Sequence, residues 1–437
     1  MEYIPNILFA ILLIFGIGYF GKNVKKLSRN INLGKDVDRS DNKSQRWKNM
    51  GMIALGQSKM VRRPIAGFFH IIVYVGFVII NIEVLEIIID GLFGTHRVFT
   101  KVLPDSIYGF LIGTFEILAI GVLISVIIFW IRRNIIKLKR FLSAEMKGWP
   151  KSDGNIILYF EIVLMTLFIV MNAADISFQQ AGNGNVISQY LYPLFEGNVE
   201  TAHIIEKVAW WLHIAGILVF LNYLYFSKHL HILLAFPNTF YANLKPKGEF
   251  VNDANVTKEV MLMMDPNADP FAAPAEGEDE GEPEKFGASD VQDLNWVQLL
   301  NSYTCTECGR CTSECPANQT GKKLSPRKIM MDTRDRLEEV GKNIDANKGT
   351  FIDDGKSLLN DYITPEELWA CTSCNACVEA CPVSIDPLSI IMEMRKYLVM
   401  EQSAAPTELN VMMGNIENNG APWPYNQMDR LNWKDEN

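Results

Sequence analysis

Cysteine is absent from this sequence outside residues 305–381, where all eight fall into two short runs. That confinement excludes a disulfide framework spread over the chain, and 437 residues need no such staples. Basic charge is also short. Lys and Arg number 41 against 50 Asp and Glu, net charge −9, so no nucleic-acid surface is implied. The N-terminal residues Met1–Pro5 lack both a basic region and a small-residue cleavage site, so they do not read as a cleaved signal peptide. Long apolar runs, in turn, are missing after residue 235. The mean hydropathy of +0.06 therefore averages a membrane half with a polar half.

The cysteine runs read Cys305-x2-Cys308-x2-Cys311-x3-Cys315-Pro316 and Cys371-x2-Cys374-x2-Cys377-x3-Cys381-Pro382. This is the bacterial spacing for [4Fe–4S] clusters, in which the fourth cysteine turns away to serve the other cluster. The expected ligand sets are Cys305, Cys308, Cys311 and Cys381 for one cluster, and Cys371, Cys374, Cys377 and Cys315 for the second. Structural zinc is the competing reading, but it prefers pairs of cysteines separated by a longer gap.

Five apolar runs, about Tyr3–Phe20, Ile65–Ile89, Ile107–Ile131, Ile156–Ala174 and Val208–Phe226, are each long enough to cross a bilayer as a helix. The connections after the first and third runs are rich in Lys and Arg, whereas the other two hold little beyond Arg97, Lys101 and Lys207. The positive-inside rule then places the N-terminus outside and the cysteine half in the cytoplasm. The expected fold is mainly α: a five-helix transmembrane bundle over residues 1–240, then a soluble helical ferredoxin domain with two clusters over 293–404. Residues 241–292 read as a cytoplasmic segment whose acidic Asp265–Asp290 stretch has the composition of a disordered tether. Residues 405–437 form a tail expected to dock a partner.

The six histidines are His70, His96, His203, His213, His229 and His231. On one continuous fifth helix, His213 and His231, 18 residues apart, share a face and lie about 27 Å apart. His229 then points elsewhere. His70 and His231 fall at matching depth near the cytoplasmic side, an arrangement able to hold haem b iron from both sides. His96 and His203 fall in or near the outer water layer. Embedded acids, Glu83, Glu86, Glu116, Glu161 and Asp175, read either as a proton relay to a quinone or as partners of polar neighbours. Glu83, Glu86, His229 and Lys228 are the candidates for a quinone or proton site.

Phe68-Phe69-His70, Trp211-Leu212-His213 and Ser227-Lys228-His229-Leu230-His231 resemble motifs of the cytochrome b subunit of respiratory nitrate reductase and the membrane subunit of heterodisulfide reductase. That resemblance spans about Pro64–Pro237 and implies two haems b held by four histidines. His70 and His231 match the inner pair and His213 one outer ligand, while Ile80 stands where the fourth histidine belongs. The cysteine half resembles the small iron–sulfur subunit of heterodisulfide reductase. The tail around Trp423 and Trp433 resembles the segment before a cysteine-rich CCG domain, which implies a separate CCG-type iron–sulfur or flavoprotein partner. The function expected is that of a membrane electron-transfer subunit of a quinone-linked respiratory oxidoreductase, with menaquinone favoured by analogy. The alternative is a membrane-anchored iron–sulfur redox sensor or scaffold without quinone turnover.

Overall fold

The computed structural model describes residues 3–250, 252–266 and 285–435. Residues 267–284, most of the acidic tether, lie outside the described residues.

The apolar runs form five helices: α1 (Ile4–Ile31), α2 (Pro64–Phe93), α3 (Asp105–Asn134), α4 (Trp149–Ala174) and α5 (Val199–Tyr223). With 25 to 30 residues each, they exceed the roughly 20 residues that a hydrocarbon core requires. Prolines at the first turns of α1, α2 and α4 start helices where a missing N–H costs nothing. Gly94, at φ +69°, closes α2 with a left-handed cap. Successive helices pack side by side, and α1 closes the ring on α5 and α2. Small residues mark the close approaches: a Cβ on Gly91 would lie 2.7 Å from the Phe9 ring, and one on Gly76 would lie 2.5 Å from Val122. Ile11, Ile14 and Phe15 remain exposed along α1, as suits a surface facing lipid.

The fifth helix is not continuous. It ends at Tyr223, passes through a turn at Leu224–Phe226, and extends at Ser227 (φ −122°, ψ 147°). A second turn, Lys228–Leu230, leads into α6 (His231–Phe240). The expectation that His213 and His231 share one helical face is therefore corrected. The break also turns His229 back toward His231, with ring centroids 5.4 Å apart. Asp153 is the physical reason. Its carboxylate accepts from the Tyr223 hydroxyl at 2.6 Å and from the Lys228 backbone N–H at 3.1 Å, the latter an amide at the break.

The polar half is built on α7 (Trp296–Thr304), α8 (Pro326–Ala346) and α9 (Pro387–Met400), followed by α10 (Thr407–Asn419); no extended strand occurs among the described residues. Arg336 is fully buried on α8 and binds Asp290 at 2.7 Å and Asp354 at 2.6 Å. This half sits on the bundle end where the basic connections lie. Arg327 reaches Glu145 at 2.7 Å and the Arg140 carbonyl at 2.6 Å. Arg63 pairs with Glu314 at 2.8 Å, Arg62 with Glu379, and Arg29 with Asp345. Lys35 and residues 294–296 join backbones through N–H···O bonds of 2.8 and 3.1 Å. Several cations that signalled topology in the sequence are thus also the docking surface for the cysteine half.

Replacing Arg336 with Met leaves two carboxylates without their cation. A loss of about 1–3 kcal/mol is expected, because both carboxylates keep part of their hydration, measured by urea titration of the purified chain followed by tryptophan fluorescence.

Candidate functional site

The two cysteine runs fold alike. Glu307 and Ser373, two residues after each leading cysteine, take φ +54° and +55°. Gly309 and Asn375, two further on, take φ +70° and +60°. These left-handed turns wrap the backbone around a common centre, and a short helix, Arg310–Ser313 or Ala376–Ala380, carries the chain on to the fourth cysteine. Gly309 also lacks room for a side chain, since a Cβ there would lie 2.5 Å from Arg327.

The runs then exchange their last members. Cys305, Cys308, Cys311 and Cys381 line one cavity. Cys315, Cys371, Cys374 and Cys377 line another. No cysteine is in a disulfide, and among the described residues no three His, Cys, Asp or Glu side chains cluster as they would around one metal ion. The donor set fits a larger, thiolate-held group such as a cubane better than one tetrahedral ion. Burial pushes the Cys305 thiol up to about 12 and the Cys381 thiol up to about 11. The cavities therefore favour thiolates only when a metal takes the place of the protons. Backbone N–H groups of Ser373 and Ile385 donate to the sulfurs of Cys371 and Cys381 at 3.4 and 3.2 Å.

His70 and His231 face each other from α2 and the start of α6, with ring centroids 6.5 Å apart and planes 43° apart. Imidazoles that each bind one metal through a nitrogen at about 2 Å leave their centroids roughly 6 Å apart. His231 Nδ1 lies 3.1 Å from the Lys228 carbonyl, which selects the tautomer with Nε2 free to ligate. His70 Nδ1 is buried without a hydrogen-bond partner. Their separation is that of two imidazoles sharing one metal.

Farther into the bundle, His213 is buried, with Nδ1 3.1 Å from the Leu164 carbonyl. It lines a cleft together with Phe77, Ile80, Asn81, Glu161 and Phe220. Ile80 lines the same cleft, and no second imidazole does. His229 lies 4.0 Å from Glu161 and so stands between the cleft and His231.

The embedded acids divide. Glu86 accepts from the Phe99 N–H at 2.8 Å and Glu116 from the Ile187 N–H at 2.7 Å, so both tie loops to helices. Asp175 binds Arg97 at 2.7 Å, and His96 lies 3.3 Å from the same carboxylate. Glu83 alone among these keeps a buried oxygen, Oε2, without a partner. Lys228, taken from the sequence as a candidate for a quinone or proton site, is 9% exposed and paired with Glu307 inside the first cysteine run. Its ammonium also donates to the Pro150 carbonyl at 2.6 Å. Arg334 holds the other Glu307 oxygen at 2.9 Å. Burial alone would raise the Glu307 carboxyl, but Lys228 and Arg334 hold it below its ordinary value. The sequence reading missed Glu307; its place between Cys305 and Cys308 was the available signal.

Helices long and apolar enough to span a bilayer, followed by paired four-cysteine cavities, define the class: a membrane-anchored iron–sulfur electron-transfer protein. The comparisons agree at that level. Residues 304–385 match the family model of the 4Fe-4S dicluster domain. The chain is 28% identical to the probable iron-sulfur-binding oxidoreductase FadF of Bacillus subtilis, over 98% of its own length and 61% of that protein. It is 27% identical to the EtfAB:quinone oxidoreductase of Syntrophomonas wolfei, over 92% and 55% of the two chains. It is 31% identical to a probable membrane-anchored ferredoxin of Chromohalobacter salexigens over 34% of this chain and 24% of that one. Shorter matches reach subunits D and C of heterodisulfide reductases. The chain thus spans little more than half the length of the first two relatives. No solved structure matches it.

Changing Cys381 to Ser should remove the same cluster signal as changing Cys305, not the one lost with Cys371. Each variant should lose about half the iron and acid-labile sulfide. Paramagnetic resonance of the dithionite-reduced variants checks the crossing.

Proposed function

We propose that this chain is the membrane electron-transfer subunit of a quinone-linked respiratory oxidoreductase in the cytoplasmic membrane, with the cysteine half on the cytoplasmic side. Cys305, Cys308, Cys311 and Cys381 hold one [4Fe–4S] cluster, and Cys371, Cys374, Cys377 and Cys315 hold the second. His70 and His231 hold haem b. When bound, these groups accept and release single electrons over a wide range of potentials.

The chain's own residues fix where each group sits and what surrounds it. Cys374 is the exposed member of its set, so the second cavity opens toward a soluble partner. The first lies against the bundle, where Arg310 reaches the Met60 sulfur at 2.7 Å. The cleft beside His213 offers apolar walls with Asn81, Glu161 and one imidazole as polar points, the character of a quinone site. His213 thus faces a quinone headgroup in place of a second haem, and His229 with Glu161 supplies proton-carrying groups. A quinone acceptor is supported by the printed name of the Syntrophomonas relative, and a menaquinone by analogy alone. The soluble partner is a CCG-type iron–sulfur or flavoprotein subunit, supported by the matches to heterodisulfide reductase subunits. The exposed Trp423, Met428 and Trp433 of the tail are the surface assigned to it.

The observation that carries this reading is the facing of His70 and His231 at the bundle end that receives the cysteine half. The pyridine haemochrome of purified protein should show haem b in the parent. The band should be lost in His70→Ala and His231→Ala, with iron–sulfur content unchanged. Haem absent from the parent, or retained undiminished in both variants, overturns the assignment.

A further inference from the structure

One connection runs unbroken between the first cysteine cavity and the membrane histidines. Glu307, between Cys305 and Cys308, accepts the ammonium of Lys228. The carbonyl of the same Lys228 lies 3.1 Å from His231 Nδ1. A single residue thus touches the cavity loop through its side chain and the histidine through its backbone. Its surroundings are closed. Glu307 is 3% exposed and Asp153, 3.7 Å from the ammonium, 2% exposed. Arg334 flanks the pair from α8. Glu307 also takes a left-handed backbone, φ +54°, which an ordinary side chain adopts at a cost unless its surroundings hold it there.

We propose that Lys228 and Glu307 form a charge clasp that holds the first cavity in register with the His231 loop and sets the reduction potential of the group in that cavity. The inference rests on the reading of the cysteines as cluster ligands, and not on the haem. Physically, a buried carboxylate beside the cluster disfavours an added electron, and a buried ammonium favours it. In the parent each offsets part of the other's effect on the cavity, and their mutual attraction fixes the loops. Both are positioning residues: neither touches a reacting atom.

The test is a redox titration of intact, cluster-loaded protein followed by paramagnetic resonance, with the second cluster as internal reference. Glu307→Gln keeps the shape and removes the negative charge, so the potential of the first cluster should rise relative to the second. Lys228→Met should lower it. The double variant Lys228→Met/Glu307→Gln should return it toward the parent. Opposed shifts that cancel in the double variant are what charge coupling requires. Shifts in one direction for both single variants are the result of general loosening and overturn the proposal, as does no shift in either. Hydrogen exchange on the same samples provides the second readout. Protection should fall together at residues 305–309 and 227–231 in each single variant, and unchanged protection at both overturns the registering role. Loss of both clusters from the parent protein itself would instead count against the cysteine assignment.

Discussion

The structure depends on seating a charged, polar domain on the end of an apolar bundle. Charged residues of the bundle connections and of the cysteine half pair across the junction, with cations contributed from both sides, and the most enclosed of these pairs, Lys228–Glu307 and Arg327–Glu145, are largely withdrawn from water. Such pairs add little net stability, because desolvation offsets much of the attraction. Removing one partner, however, strands a buried charge at a cost of about 3–5 kcal/mol. The contacts therefore act less as glue than as a rule of register. This seating matches Lys228 with Glu307 and Arg327 with Glu145 across the junction.

Register matters because electrons cross between centres only when the centres are held close. The first cavity faces the bundle through Arg310, Arg327 and Glu307, and the second lies beyond it with Cys374 exposed. His231 stands at the head of α6 because the chain breaks after Tyr223 and Asp153 accepts the Tyr223 hydroxyl and the Lys228 amide there. The break also returns His229 to the space between His231 and the His213 cleft. One irregular segment, Leu224–Leu230, thus places imidazoles, a cation and a carbonyl between lipid and cysteines.

Much of this was legible in the sequence. Cysteine spacing carries its own geometry, and the structure collects the eight thiols into the two sets that the repeated C-P runs imply. Apolar runs of bilayer length are equally direct, and all five appear as helices. The break after helix five was hidden because Tyr223–His231 contains no Gly or Pro, and its cause, Asp153, lies 70 residues away in sequence from Tyr223. Long-range partners also explain why the pairing of Lys228 was not legible. A lysine at the end of an apolar run ordinarily reaches for the interface, and only the folded chain shows Glu307 covering it. The acids were ambiguous for the same reason. Composition does not distinguish Glu86, which ties down a loop N–H, from Glu83, which keeps a bare oxygen.

The most direct measurement is optical. A low-potential photoreductant too polar to enter detergent or lipid would be flashed with the intact, loaded protein, and cluster bleaching followed together with the haem α-band. The clusters should bleach first and the haem band should then rise as electrons arrive at the His70–His231 site. Clusters that stay reduced beside a haem band that never changes would contradict a connected path from the cysteines into the membrane.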